Sequence, residues 1–483
     1  MSNKKAEMKD DYSSGKAFRY TFAQIADIVV YQSFTFLIFT FYFAIVGLNI
    51  ILISIGFVIW AIWNSINDPL LGAISDRTHT RWGRRLPYII AAIIPLTVVT
   101  ILLYFPPVSY GITTELINFI YFFIIIMVFE FFYTMFSLNQ VALFPEIFVT
   151  ANARTRANNV RQTIAILALI IVFVLPTLII PDLSDAAYLP EYQIFSFLIG
   201  GLCAAFGVLF IIFGPREKKE FSDDYKSTPK FFKSIWYCLK SKSFRWYIPA
   251  QIANWFVYGM LPIIIPFYGK FVLGIGLAPG TEWQTIFLSL LLGVAFICAA
   301  IFVNIICKPV TRRIGARKMW MISQGVWILT LIPLFFLGPN TELVMTDLII
   351  AFISFALMGL GLAGSLFVAD IILGDVIDED ELKTGVRREA SYFGVNALLL
   401  RLSTVIVFIL IGPVFIIGDW EWFDPLNVTP EIIFGLKSLM VIFPSIALGI
   451  GILTIYKFPL DGEKLKQIKR DLQILHEEKK SKV

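Results

Sequence analysis

Charge is what this sequence has least of. Only 16% of its 483 residues are Asp, Glu, Lys or Arg, against about 25% in a soluble globular protein. Histidine is nearly absent, with His79 and His476 its two instances, so catalysis built on imidazole has little to work with. The four cysteines, Cys203, Cys238, Cys298 and Cys307, share no CxxC spacing, and neither a zinc site nor a disulfide framework follows from them. The net charge of +5 is small and sits in short segments, which excludes a nucleic-acid binder. No glycine-rich nucleotide loop is present, so ATP-driven transport is not expected. The first 19 residues mix Lys4, Lys5, Lys9, Lys16 and Arg19 with Glu7, Asp10 and Asp11 and lack the apolar core of a cleavable signal.

Apolar residues fill the space that charge leaves. They make up 58% of the chain, and the mean hydropathy is +0.77. A helix needs roughly 20 apolar residues to cross the hydrocarbon core. Twelve such runs are present, at 20–45, 50–74, 87–106, 115–143, 161–181, 192–213, 247–272, 284–307, 318–338, 344–373, 389–418 and 432–458. Thirty-seven of the 40 Lys and Arg residues fall in the two tails and in alternate loops, leaving only Lys270, Arg401 and Lys437. By the positive-inside rule both termini are cytoplasmic. The expected protein is all-α and multi-pass, in the plasma (inner) membrane, with the lipid bilayer as its surroundings and activity as a monomer.

The most charged internal loop divides the spans six and six. The expected organisation is an N-terminal bundle at 1–213, a central loop at 214–246, a C-terminal bundle at 247–460 and a tail at 461–483. In the central loop Phe231, Phe232, Ile235, Trp236 and Leu239 have helical spacing, and in the tail Leu465, Ile468, Leu472 and Leu475 do the same. Both read as interfacial helices that anchor or strap the bundles.

The halves echo each other. After the second span comes Asp76-Arg77, then Arg81-Trp82-Gly83-Arg84-Arg85; after the eighth comes Arg312-Arg313-Ile314-Gly315-Ala316-Arg317-Lys318. After the fourth span Pro145-Glu146 precedes Arg154, Arg156 and Arg161; after the tenth, Asp375, Asp378, Glu379, Asp380 and Glu381 precede Lys383, Arg387 and Arg388. Basic loops thus recur opposite acidic helix ends. The repetition reads as a cytoplasmic gate of ion pairs, with Asp76, Arg84, Arg85, Glu146, Asp375, Asp378 and Arg387 as candidates.

Buried charge adds a second set. An ionisable group at the bilayer centre costs about 3 kcal/mol on insertion scales, so each needs a partner or a task. Asp27, Asp68, Glu130, Asp370 and Arg401 all lie inside apolar runs. Asn64 stands one helical turn before Asp68. Asn139, Gln140, Asn254, Trp255 and Asn396 offer a further polar lining. A membrane-embedded transferase would need a buried histidine or a metal cluster, and neither is apparent, so no enzymatic activity is expected.

The stretch from Asn67-Asp68-Pro69 through Asp76-Arg77 to Arg81-Trp82-Gly83-Arg84-Arg85 resembles the signature of the glycoside–pentoside–hexuronide:cation symporters. Leu143-Phe144-Pro145-Glu146 and the run from Asp375 to Glu389 resemble two further segments of that family. The resemblance implies the major facilitator fold, with twelve transmembrane helices in two six-helix bundles related by pseudo-two-fold symmetry. It also implies secondary transport of a small polar solute by alternating access, without a resident cofactor. By the same resemblance Asp68 matches one of two carboxylates that hold the coupling ion, while the other position here is Asn64. One carboxylate plus an amide makes a poor sodium site, so a proton is expected as the coupling ion rather than sodium, with Asp27 as a further candidate donor of charge. Asp27, Arg161 and Arg401 fall at solute-binding or charge-pairing positions, and the fourth-helix sugar-holding positions are Ser137 and Val141. Asn139 and Trp255 complete the candidate solute set. The apolar Val141 leaves a lysophospholipid or other amphiphile carrier of the same fold as the alternative reading.

Overall fold

A peptide group bare in lipid has no partner, so each apolar run closes its own hydrogen bonds as a helix. The structure, a computed structural model, describes residues 12–78, 80–148, 151–216, 231–277, 281–338, 344–385 and 388–481. The side chains of a few residues within the helices, Asp76 among them, lie outside that description. The helices are α1 (Ser14–Thr40), α2 (Ile50–Arg77), α3 (Leu86–Leu102), α4 (Glu115–Ile147), α5 (Ala151–Ile179), α6 (Leu189–Phe213), α7 (Phe231–Lys240), α8 (Lys242–Phe271), α9 (Ile286–Phe302) and α10 (Lys308–Ile314). There follow α11 (Ala316–Phe336), α12 (Val344–Thr384), α13 (Glu389–Ile417), α14 (Pro430–Lys437), α15 (Phe443–Tyr456) and α16 (Gly462–Ser481). Among the described residues eleven helical stretches are long and apolar enough to cross a membrane, and α3 is a shorter apolar helix. Its 17 residues rise about 26 Å at 1.5 Å each. These stretches fall on the apolar runs of the sequence one for one. Three of them contain a π-helical segment, at Phe41–Ile45, Val303–Cys307 and Ser438–Ile442, which periodicity alone does not announce.

Two stretches expected as loops are helix. The acids Asp375 to Glu381 form the last turns of α12, extended by the Glu379–Lys383 pair at 2.8 Å. That helix ends at Thr384, and Gly385 follows with φ +72°. Arg154 and Arg156 likewise sit on α5 rather than before it. The repeated basic loops share one backbone device: Gly83 has φ +103° and Gly315 φ +87°. Side chains rarely adopt that conformation, so glycine at both positions is a requirement of the turn.

The chain forms two compact units, residues 1–48 with 62–228 and residues 49–61 with 229–483. In the first unit α1 is the central helix. It packs against α5 and α6, and 83% of its most apolar window is buried. Stacked, edge-on and tilted rings fill this core: Phe34 on Phe129 at 4.5 Å, Phe41 on Tyr104 at 4.9 Å, and Phe41 on Tyr192 at 5.0 Å.

In the second unit α12 packs between α11 and α9, and α8 packs against α13 and α15. The first turns of α2 belong here for local reasons. Ile50 N donates to the Glu421 carbonyl at 2.9 Å, Asn49 Nδ2 donates to Glu421 Oε1 at 2.9 Å, and Phe57 stacks on Phe408 at 4.1 Å. The expected tail helix is present as α16, with Ile468 and Leu472 buried. The central-loop helix is α7, where Trp236 and Tyr237 are exposed and Cys238 is buried; the side chains of Phe231, Phe232 and Ile235 lie outside the described residues. Burial, with the Asp380 carboxylate adding to it, pushes the Cys238 thiol up to about 12, so this cysteine is an inert packing group.

Candidate solute and cation site

The first unit brings together a polar cluster on α1, α4 and α5. Asp27 is buried on α1. It lies beside the hydroxyls of Ser137 and Tyr133 on α4 and in the field of Arg161 on α5, and its Oδ1 has no hydrogen-bond partner. Arg161 in turn lies beside the Tyr20 hydroxyl, and its guanidinium sits 4.9 Å from the Phe144 ring centroid. Tyr20 donates to the Gln140 carbonyl at 2.7 Å and receives Gln140 Nε2 at 2.9 Å. Tyr31 stacks on Tyr133 at 4.6 Å, so an aromatic pair stands beside the carboxylate. Asp27, Ser137 and Arg161 therefore meet as expected. Asn139 is fully buried with its amide nitrogen on the Met135 carbonyl at 2.8 Å, and its Oδ1 has no hydrogen-bond partner. Tyr20 and Tyr133 were not legible from composition. The signal for Tyr133 was its spacing with Ser137 and Gln140, which places all three on one face of α4; Tyr20, on α1, had no such signal.

A second cluster joins α2 to α4 one or two turns away along the same helix. Thr134 Oγ1 is 3.1 Å from Asp68 Oδ1 and 3.2 Å from Glu130 Oε1. Asn67 Nδ2 donates to the Glu130 carbonyl at 3.2 Å. Glu130 is 1% exposed, and Asn64 and Asn67 are fully buried. Neither end of the Asn64 amide has a hydrogen-bond partner, nor does Asn67 Oδ1. Asp68 thus has a second carboxylate close by after all, supplied by the fourth span rather than by the second.

In the turn between α2 and α3 Arg84 NH2 pairs with Glu146 Oε1 at 3.1 Å and Arg85 Nε lies 3.7 Å from the same oxygen. Arg85 NH1 also donates to Ser75 Oγ at 3.0 Å. These three gate candidates converge within the first unit. In the second unit Asp375 pairs with Lys469 of the tail helix at 3.0 Å, and Arg317 holds Asp461 at 3.2 Å. Asp380 takes both Arg388 nitrogens at 2.8 and 2.9 Å, and Glu379 accepts from Ser243. Asp378 is half-buried on α12. The Asp76 side chain and Arg387 lie outside the described residues. Trp255, 38% exposed with Tyr258 edge-on at 5.3 Å, and Arg401, half-buried, belong to the second unit on α8 and α13. Among the described residues no three His, Cys, Asp or Glu side chains come together as a metal centre.

Apolar helices of spanning length in two units, with buried carboxylates on α1 and α4 and half-buried charges beside them on α2 and α5, are the make-up of a polytopic transporter. The family described as MFS/sugar transport protein matches residues 19–462, and the chain belongs to that family. It is all-helical in its described residues and has the major facilitator fold. The crystal structure of the nucleoside transporter NupG superposes with a TM-score of 0.63 over 91% of this chain and 99% of its own, at 14% identity. The mouse sodium-dependent lysophosphatidylcholine symporter 1 is 25% identical over 87% of this chain and 80% of its own length. The uncharacterized symporter sll1374 of Synechocystis is 37% identical over 126 residues, which are 26% of this chain and 23% of that protein.

Proposed function

We propose that this protein is a cation-coupled secondary transporter of a glycoside or related hydroxyl-rich solute, working by alternating access with both termini in the cytoplasm of the plasma membrane. The observation that carries the reading is the Asp27 cluster. A buried carboxylate with one oxygen free to accept, beside the Tyr133 and Ser137 hydroxyls, Arg161 and the Tyr31–Tyr133 pair, offers what a sugar needs: charged hydrogen-bonding groups and an aromatic surface. Asp68 is the coupling carboxylate, and the proton is the coupled ion. The arginines at Arg84 and Arg85 with Glu146 belong to the cytoplasmic gate on this reading, as do Asp76, Asp375, Asp378 and Arg387.

One observation favours a second reading. Val141 stands 49% exposed on α4, where a hydroxyl-binding site would want a polar or aromatic group, and a relative over most of the chain is named for lysophosphatidylcholine. The test is uptake into proteoliposomes, with pH and sodium gradients imposed separately, of labelled mono- and disaccharide glycosides and of a labelled lysophospholipid. Saturable glycoside uptake stimulated by an acid outside supports the proposal. Uptake of the lysophospholipid alone overturns it in favour of the alternative.

A further inference from the structure

Resting on the proposal that a cation drives this transporter, we infer that Glu130 is the second carboxylate of the coupling site and that it shares one proton with Asp68 across the Thr134 hydroxyl. The hydrogen count favours it. Thr134 Oγ1 lies within hydrogen-bond distance of a carboxylate oxygen on both sides, 3.1 Å from Asp68 and 3.2 Å from Glu130. A hydroxyl has one hydrogen and can donate it in one direction only; toward the other carboxyl its oxygen must accept. Two ionised carboxylates would leave one of these contacts as oxygen facing oxygen with no proton between. With one proton present the chain closes: the Glu130 carboxylic acid donates to Thr134 Oγ1, and the Thr134 hydroxyl donates to Asp68. Reversing both hydrogens moves the charge from Asp68 to Glu130 without moving a heavy atom.

The surroundings point the same way. Asn64 is fully buried one turn before Asp68 on the same helix face, and neither its Oδ1 nor its Nδ2 has a hydrogen-bond partner. An amide in that condition is costly to bury and marks a place where a water or an ion completes the contacts. Asn67, also fully buried, presses its amide nitrogen onto the Glu130 carbonyl at 3.2 Å and leaves its oxygen without a partner. The amides at Asn64 and Asn67 bring oxygen without charge. The charge is divided between α2 and α4, so loading the site ties these two helices together and unloading it removes the tie.

The experiment is infrared difference spectroscopy of the purified protein in lipid at neutral pH, wild type against Glu130→Gln, with Thr134→Val and Glu130→Asp as companions. The wild-type-minus-Glu130→Gln spectrum should contain the C=O stretch of one neutral carboxylic acid. That band should shift in Thr134→Val, which removes its acceptor, and return in Glu130→Asp. Only ionised-carboxylate bands in the difference, or a neutral band indifferent to Thr134→Val, would overturn the shared proton. No solute enters this measurement, so a protein that shows the band and transports no glycoside retires the solute reading and leaves the pair standing. In vesicles that do take up solute, Glu130→Gln should reduce accumulation in a one-unit pH gradient from about tenfold to none. Full accumulation in that variant, or accumulation driven by sodium at constant pH and lost in it, contradicts the inference.

Discussion

Asp68→Asn should abolish accumulation of solute against its gradient while leaving exchange of labelled for unlabelled solute across the vesicle membrane. A tenfold proton gradient stores about 1.4 kcal/mol per proton, enough for about tenfold accumulation at zero membrane potential. Asparagine keeps the shape of the side chain and its hydrogen bond with Thr134 but cannot take up the driving proton. The variant therefore becomes a facilitator, and its steady-state internal concentration should fall to the external one. The companion substitution is Asn64→Asp. It places a carboxylate one turn from Asp68 at a fully buried position, and hard cations bind best where several oxygens carry negative charge among them. Sodium dependence should appear or strengthen. Loss of exchange along with accumulation in a folded Asp68→Asn protein would make Asp68 a solute ligand instead of a coupling group.

Glu146→Gln should destabilise the first unit by about 3–5 kcal/mol, the usual cost of removing one partner from a buried ion pair. The side chains involved are 8% exposed at Arg84, 11% at Arg85 and 14% at Glu146, too buried for water to take over the charge. Glutamine keeps an oxygen for Arg84 and loses the attraction to both guanidiniums. Chemical unfolding in detergent, followed by tryptophan fluorescence, measures the change. The swapped pair Arg84→Glu with Glu146→Arg should recover part of the loss, whereas each single reversal should not. A Glu146→Gln protein as stable as wild type would make the pair a surface contact of little consequence.

The helices were largely legible in the sequence, because lipid forces every apolar run into the same secondary structure, but the polar ends of α5 and α12 were not. Which face of each helix is buried was not. A soluble helix separates its core face from its water face by polarity, but a membrane helix is apolar on both sides, so periodicity gives no direction. That is why α1, most of whose apolar window is buried, reads in sequence much like α4, a third of whose window is buried. Polar residues escape this degeneracy. Asp27, Ser137 and Arg161 were found as candidates and meet in space. Thr134 and Tyr133 were missed because single hydroxyls are common in membrane helices, and only their register with Glu130 and Ser137 on one face of α4 distinguishes them. The pairing of Asp375 with Lys469 was out of reach for another reason: it joins α12 to a tail far later in the chain, and nothing local encodes such a contact.

The most direct test of coupling is to watch the proton itself. Proteoliposomes in lightly buffered medium, with no ion gradient imposed and the membrane potential clamped, are given a glycoside that the uptake panel has identified. If solute and proton move together, the external pH should rise on addition at a rate that follows solute entry, and the rise should vanish in Asp68→Asn and Glu130→Gln vesicles that still exchange solute. Solute entry at the full wild-type rate with no change of external pH would contradict the account.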